Sequence, residues 1–329
     1  MSSFTSLSGP LSSSLFKLNH RHVTSSVSTN SELLEQLNTG ELDRNQRHLL
    51  TADTQTAGRG QRQRSWQSPL GNVYLSLYHP IQMPVSGLLS LIIGVELAKM
   101  PIIETLNKQL SAQQLAPIGV KWANDLGFYQ VQKISNDLAE ENKIIPFNKL
   151  AGILIEPVWQ AGKLLGVVMG VGLNVKATPK LTAQTLEGMS YQAISLQDIY
   201  EPLNLDQQGL ELPSLDNLYQ QVSQALIAAM DCFEKIMLEK QHAQRTTEQN
   251  DATDKFLHQF DRLDALSELT LQVTQNHGEK TLVVKGEACG IDTNGCLQLR
   301  QDNGKISALF TGRIDVIDKA QTTYTTSTI

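Results

Sequence analysis

The chain has 329 residues, 40% of them hydrophobic, and its 27 Lys and Arg against 33 Asp and Glu give a formal net charge of −6. That length exceeds one small domain and suits two, with enough apolar residues for a sizeable core. The acidic balance argues against a general nucleic-acid binder, whose footprint would be basic, and no apolar run reaches the ~18 residues needed to span a bilayer.

Residues 1–22 read as a poorly ordered leader. Met1 to Ser14 is rich in serine and lacks the basic segment followed by an apolar stretch that marks a secretory signal, which places the protein in the cytoplasm. Ser28 or Asn30 caps a helix through Leu33, Leu34 and Leu37 that stops at Gly40. Leu49 to Ala52 reads as a strand, and Asn72 to Tyr78 as a second. From Leu88 to Leu110 the apolar residues recur at helical spacing, and Pro101 ends or kinks that helix. Ile118-Gly119-Val120 is strand-like. Lys149 to Glu156 and Leu164 to Val175 form a hairpin turned at Gln160-Ala161-Gly162. The second of these is apolar from Leu165 to Val171, which suits a central strand covered on both faces. Ser214 caps a long amphipathic helix through Leu215, Leu218, Val222, Leu226 and Phe233. Residues 240–254 read as helix end or linker. Four short strands follow at Leu269–Val273, Leu282–Val284, Cys296–Leu299 and Ile306–Phe310, a pattern that predicts a small β-barrel. The chain therefore divides into a mixed α/β unit over 23–262 and a barrel over 269–320. Cys232, Cys289 and Cys296 are too few and too irregularly spaced for a disulfide framework or a zinc site, and read as free thiols.

The segment richest in chemistry is Gly58-Arg59-Gly60-Gln61-Arg62-Gln63-Arg64-Ser65-Trp66. Glycines let backbone approach a ligand closely, and arginines supply fixed cationic forks for phosphate or carboxylate. Such a loop is suited to a small anion; a solvated basic loop or a nucleic-acid patch is the other reading. There is no Walker A motif, and Gly170-Val171-Gly172 lacks the third glycine of a dinucleotide fingerprint. ATP, if bound, is held by another architecture.

Four further segments accompany the loop: Ser28-Thr29-Asn30 upstream, then Lys121-Trp122-Ala123-Asn124-Asp125, Lys149-Leu150-Ala151-Gly152-Ile153-Leu154, and Gly170-Val171-Gly172-Leu173-Asn174. In this order the chain resembles the biotin protein ligases, whose signatures read STN, QTAGRGRxxRxW, KWPND, KLAGIL and GxGxN. The resemblance covers residues 23–175 strongly and the tail from about 270 less so. It implies an α+β fold: a mixed-sheet, class II synthetase-like catalytic domain followed by a small SH3-like barrel. It also implies a two-step activity. Biotin and ATP, with Mg²⁺, give biotinyl-5′-AMP and pyrophosphate. Biotin is then transferred to a lysine of the biotin carboxyl carrier protein of acetyl-CoA carboxylase or a similar carboxylase. Relatives are monomers or homodimers, and no interface motif is legible.

Within that chemistry Arg59 is the first candidate for a clamp on phosphate and carboxylate, because a guanidinium can grip oxygens bidentately. Lys149 is the second, an ammonium placed to stabilise charge on the transferring oxygens; its bland reading is an edge lysine with its head in water. Biotin is an apolar bicycle with a polar ureido group. Ser28, Thr29, Asn30 and Gln55 offer it polar partners; Gly58, Gly60, Gln61, Gly152 and Gly172 offer close approach along loop and strand. Ser28 to Asn30 also serve as a helix cap. Arg62, Arg64 and Lys121 are candidates for the phosphates. Asn124, Asp125 and Asn174 are candidates for ordering Mg²⁺ and its waters, Asp125 being the metal ligand; turn formation is their other role. Trp66 and Trp122 are expected to pack beneath loops, and the resemblance places the adenine pocket around Leu196 to Leu210.

The chain departs from the family at several points. Gln61 stands where the family commonly has arginine, which predicts looser retention of the adenylate. Ala123 replaces proline. An insert at about 130–146 is polar and reads as a surface hairpin or loop. Arg313 stands where the tail usually shows glutamate. Only 27 residues precede Ser28, too few for the DNA-binding domain that some relatives carry, so a ligase without operator binding is expected. A lipoate or octanoate ligase of the same superfold and a non-catalytic biotin sensor are the competing readings.

Overall fold

The computed structural model describes residues 18–130, 144–179, 191–243, 251–277 and 280–317. The elements run β1 (Leu18–Ser26), α1 (Thr29–Thr39), β2 (Arg47–Gln55), β3 (Val73–Pro80), α2 (Leu88–Ala98), α3 (Pro101–Ala112), β4 (Gly119–Lys121), β5 (Asp125–Tyr129), β6 (Ile144–Ile145), β7 (Phe147–Gln160), β8 (Lys163–Leu173), β9 (Tyr191–Ala193), α4 (Leu196–Tyr200), α5 (Leu215–Ala243), α6 (Asp251–Leu263), β10 (Thr270–His277), β11 (Lys280–Ile291), β12 (Leu297–Arg300), β13 (Ile306–Leu309) and β14 (Arg313–Ile317).

The first sheet has the order β1-β2-β3-β8-β7-β5-β4, with β9 paired to β7. β1 with β2 and β7 with β9 are parallel pairs, and the others are antiparallel. β8 lies in the middle, as its apolar run requires. Its alternate residues face opposite ways: Val167, Met169 and Val171 enter the large core, whereas Val168 joins Leu50, Tyr78 and Val158 under Leu33 and Leu37 of α1. Helices α2, α3, α5 and α6 cover the first of these faces and α1 the other. In α5, Leu218, Val222, Leu226, Met230 and Phe233 are buried along one stripe, the spacing that predicts an amphipathic helix.

Local signals set the boundaries. Ser28 Oγ accepts from the Ser31 N–H, and Gly40 closes α1 at φ +80°. Pro101 separates α2 from α3 and starts the latter, where its missing N–H costs nothing. The β7–β8 turn has Ala161 and Gly162 at φ 48° and 78°, the mirror-image conformation that matches strand twist.

The structure differs from expectation in four places. β1 begins at Leu18, inside the segment read as a leader; its polar residues are those of an edge strand held by main-chain pairing to β2. Residues 251–254 start α6 rather than continue a linker. Most of the insert lies outside the described residues, but its end is no loop: Ile144 and Ile145 pair with Ile317 and Val316. Finally, the C-terminal strands form one antiparallel sheet in the order β13-β12-β11-β10-β14-β6. It includes β14, which the sequence reading missed, and no ladder among the described residues closes it into a barrel. Its inner residues, Leu271, Val273, Leu297, Leu299 and Val316, join the same core as the first sheet. The three cysteines are free. No helix among the described residues is long and apolar enough to cross a membrane.

Candidate functional site

The arginine loop folds on itself over the end of β2. The Gly60 N–H donates to Arg64 O at 2.7 Å and the Trp66 N–H to Gly58 O at 2.8 Å, with a bridge between Arg59 and Ser65. Gly58 is required by close approach, since a Cβ there would lie 2.4 Å from Trp66 O. The returning chain lays the Trp66 indole on the sheet. A Cβ on Gly172 would come within 2.5 Å of that ring, and one on Gly152 within 2.9 Å. The two motif glycines thus make a bay for an aromatic side chain. The indole N–H is buried without a partner among the described residues. Gly172→Ala is therefore expected to push Trp66 out of its bay, read as a red shift and loss of intensity in tryptophan fluorescence.

A first cavity, about 50 Å³, opens beside this ring, bounded by Ser28, Thr29, Asn30, Gln55, Arg59 and Lys149, with Gly60, Gln61, Asn124, Gly152, Gly170 and Gly172 completing its wall. The first residues of α1 present their polar groups to it because the helix start leaves N–H groups unpaired. Gln55 Oε1 accepts from the Thr29 N–H at 2.9 Å and its Nε2 donates to Ser68 at 2.9 Å, so one side chain ties the helix start to the loop. Arg59 donates to Ser31 Oγ at 2.8 Å and pairs with Glu156.

The second cavity, about 330 Å³, lies between the loop, β4, β5 and the C-terminal sheet. Arg62, Arg64, Lys121, Lys149 and Arg313 line it, and among the described residues Asp125 is the one carboxylate in its wall. Such a surface favours a polyanion. Lys149 Nζ lies 2.7 Å from Asp125 Oδ1 and 5.3 Å from the ring centres of both Trp66 and Tyr191. Lys121 stands over Phe147 at 4.7 Å. Burial depresses its pKa, a push that nearby Asp125 opposes and Lys149 reinforces. Arg62 donates to Thr311 Oγ1 at 2.6 Å, and Arg313 is steered by Asp315 at 2.9 Å. The tail segment Phe310 to Ile314 thereby forms one wall. Gly60, Gln61, Trp66, Asn124 and Lys149 border both cavities.

The profile of the Biotin/lipoate A/B protein ligase family matches residues 23–174. The chain is 30% identical over 278 residues to the bifunctional ligase/repressor BirA of Escherichia coli (strain K12), covering 84% of this chain and 67% of that protein. The chain belongs to the biotin protein ligases. Against BirA of Salmonella typhimurium the ligase is 29% identical over 293 residues, covering 88% of its own length and 71% of the relative. A solved biotin protein ligase from Aquifex aeolicus, in complex with biotin and ATP, superposes with a TM-score of 0.55 at 18% identity over 92% of this chain and 99% of that one. This last likeness carries the fold, a mixed α+β architecture.

The structure brings most of the sequence-chosen residues of the ligase to the two cavities, with exceptions. Asn174 lines neither. It is buried, donates from Nδ2 to Ile194 O at 3.1 Å, and holds the end of β8 to the segment before α4. Gly58 acts in the loop fold and does not line a cavity. Leu196, Ile199, Leu203 and Leu205 are buried in the main core and border neither cavity. Trp122 is buried and donates to Gly295 O at 2.8 Å, Trp66 packs beneath the loop, and both also enter a cavity wall. Sequence reasoning overlooked Glu156, Tyr191 and Ser76. Glu156 closes the strand run that begins at Lys149, the one signal that could have raised it.

Proposed function

We propose that the ligase activates biotin with ATP and passes it to a lysine of the biotin carboxyl carrier protein of acetyl-CoA carboxylase or a similar carboxylase. The observation that carries this reading is the shared wall of the two cavities, with Lys149 in it. Biotin occupies the smaller, ended by the polar start of α1, once the Trp66 ring adjusts; the triphosphate of ATP lies in the larger, among the cations. A biotin carboxylate oxygen then bonds to the α-phosphorus. The bond from that phosphorus to the bridging oxygen breaks, and pyrophosphate leaves. Lys149 and Arg59 neutralise charge on the oxygens between the two reactants, the term that dominates transfers of this kind. The acceptor lysine amine, once neutral, bonds to the acyl carbon. AMP leaves and a proton departs from the new amide nitrogen.

Mg²⁺ would supply further neutralisation of the phosphates. It takes few protein ligands and completes its shell with phosphate oxygens and water. Asp125, with Asn124 beside it, fits that requirement. Asn174 does not, because it lines neither cavity. The reading is tested by incubating the full chain with biotin, Mg-ATP and a carrier domain and weighing the intact acceptor. One biotinyl group is the expected gain. No gain with biotin, or a gain with lipoate in its place, overturns the reading.

A further inference from the structure

One carboxylate links the arginine loop to the rigid part of the molecule. Glu156 sits on β7, inside the first sheet, and its side chain is only 20% exposed against 41% for Arg59. One of its oxygens takes the Arg59 guanidinium; the other accepts from Asn30 Nδ2 at 2.9 Å. Asn30 Oδ1 in turn accepts from Ser76, whose hydroxyl lies 2.7 Å from Thr29 Oγ1. Thr29 bonds Gln55, at the entrance of the loop. Arg59, through Ser31 and through Glu156 to Asn30, and Gln55, through Thr29, are thus tied to neighbouring residues at the start of α1, and Glu156 is one link on the Arg59 side.

We infer that Glu156 is the positioning residue for Arg59, holding its guanidinium at the rim of the smaller cavity so that it meets an incoming anion already oriented. This rests on the ligase reading given above. The donor count supports it. A guanidinium carries five N–H groups. Among the described residues Arg59 spends one on Glu156 and one on Ser31, which leaves the others for a ligand. A strand residue fixed at both oxygens is a stiffer support than the loop could provide for itself. Glutamine in place of Glu156 cannot do the same. Its two ends are a donor and an acceptor, whereas Arg59 and Asn30 both donate, so one link is lost along with the charge.

The test uses the full chain as wild type, Glu156→Gln and Glu156→Asp, with two readouts. Limited trypsin digestion of the ligand-free chain reports opening of the loop at Arg59, Arg62 and Arg64. Pyrophosphate release reports KM for biotin and kcat. Glu156→Gln is expected to be cut about fivefold faster and to raise KM about fivefold, the scale of ~1 kcal/mol for a partly exposed pair, and kcat is expected to fall as well, because Arg59 also neutralises charge on the transferring oxygens. Glu156→Asp, which keeps the charge, should recover part of both. In an Arg59→Ala background Glu156→Gln should add nothing to the cutting rate. Wild-type cutting and KM in Glu156→Gln overturn the inference, as does faster cutting with an unchanged KM, which would leave Glu156 a packing role alone. Should Glu156→Gln not fold by circular dichroism, Glu156→Asp decides by the same two readouts. A wild-type chain that releases no pyrophosphate fails the ligase reading instead, and the cutting rates still show whether Glu156 holds the loop.

Discussion

Replacing Lys149 by alanine should lower the rate of biotinyl-adenylate formation by about 10²–10³-fold, the usual effect of removing one fixed charge aimed at a transition state. Among the described residues Lys149 is the one cationic side chain that borders both cavities. Its position is held by Asp125 at 2.7 Å and by the rings of Trp66 and Tyr191 at 5.3 Å. Arginine at this site should not rescue the rate. A longer, planar guanidinium does not place its charge where the compact ammonium sits, 2.7 Å from Asp125. The alanine variant leaves Asp125 without its partner, so part of the effect could come from lost folding stability. Pyrophosphate exchange measured alongside circular dichroism separates the two. A folded Lys149→Ala chain that exchanges pyrophosphate within about threefold of wild type, against the scale expected, would remove Lys149 from the chemistry.

Stability should fall as pH rises from about 4 to about 7 because of one buried acid. Asp264 lies between α6 and the C-terminal sheet. Its Oδ1 accepts from the Leu266 N–H at 2.9 Å, while Oδ2 is buried with no partner among the described residues. Burial raises its pKa from 3.8 to about 7, with Asp261 adding to the push. A raised carboxyl pKa contributes stability that is complete below 3.8 and is lost as pH climbs to about 7. At the limit that loss is about 4 kcal/mol. Asparagine keeps the Oδ1 acceptor and cannot ionise. In urea unfolding, the difference between Asp264→Asn and wild type should therefore move in the variant's favour by about 2–3 kcal/mol from pH 5 to pH 8. Parallel pH curves would show that Asp264 does not titrate with folding. The residue's neighbourhood gives the effect reach. The Ala265 N–H donates to Val120 O at 2.9 Å, next to Lys121 in the larger cavity.

Much of the molecule was legible because its signals are local. Ser28 and Gly40 bound α1, Pro101 divides α2 from α3, and the Gln160 to Gly162 turn joins β7 to β8. The loop from Gly58 to Trp66 announced itself by the proximity of glycines and arginines in the chain. Less legible were elements whose identity depends on a distant partner. β1 reads as polar leader until β2 supplies its ladder. Ile144 and Ile145 read as the end of an insert until Val316 and Ile317 pair with them. Asn174 carries the family's spacing and yet points its amide at Ile194 O.

By itself the amino-acid order determined which groups could handle an anion, where the helices start and stop, and which strand is central. Those properties follow from residue chemistry and short-range periodicity. Only the tertiary structure decided which groups meet. Arg59 and Glu156 stand 97 positions apart, and Arg62 reaches Thr311 across 249. Contacts at such separation follow from how two sheets stack on a common core, a cooperative outcome that no window along the chain contains.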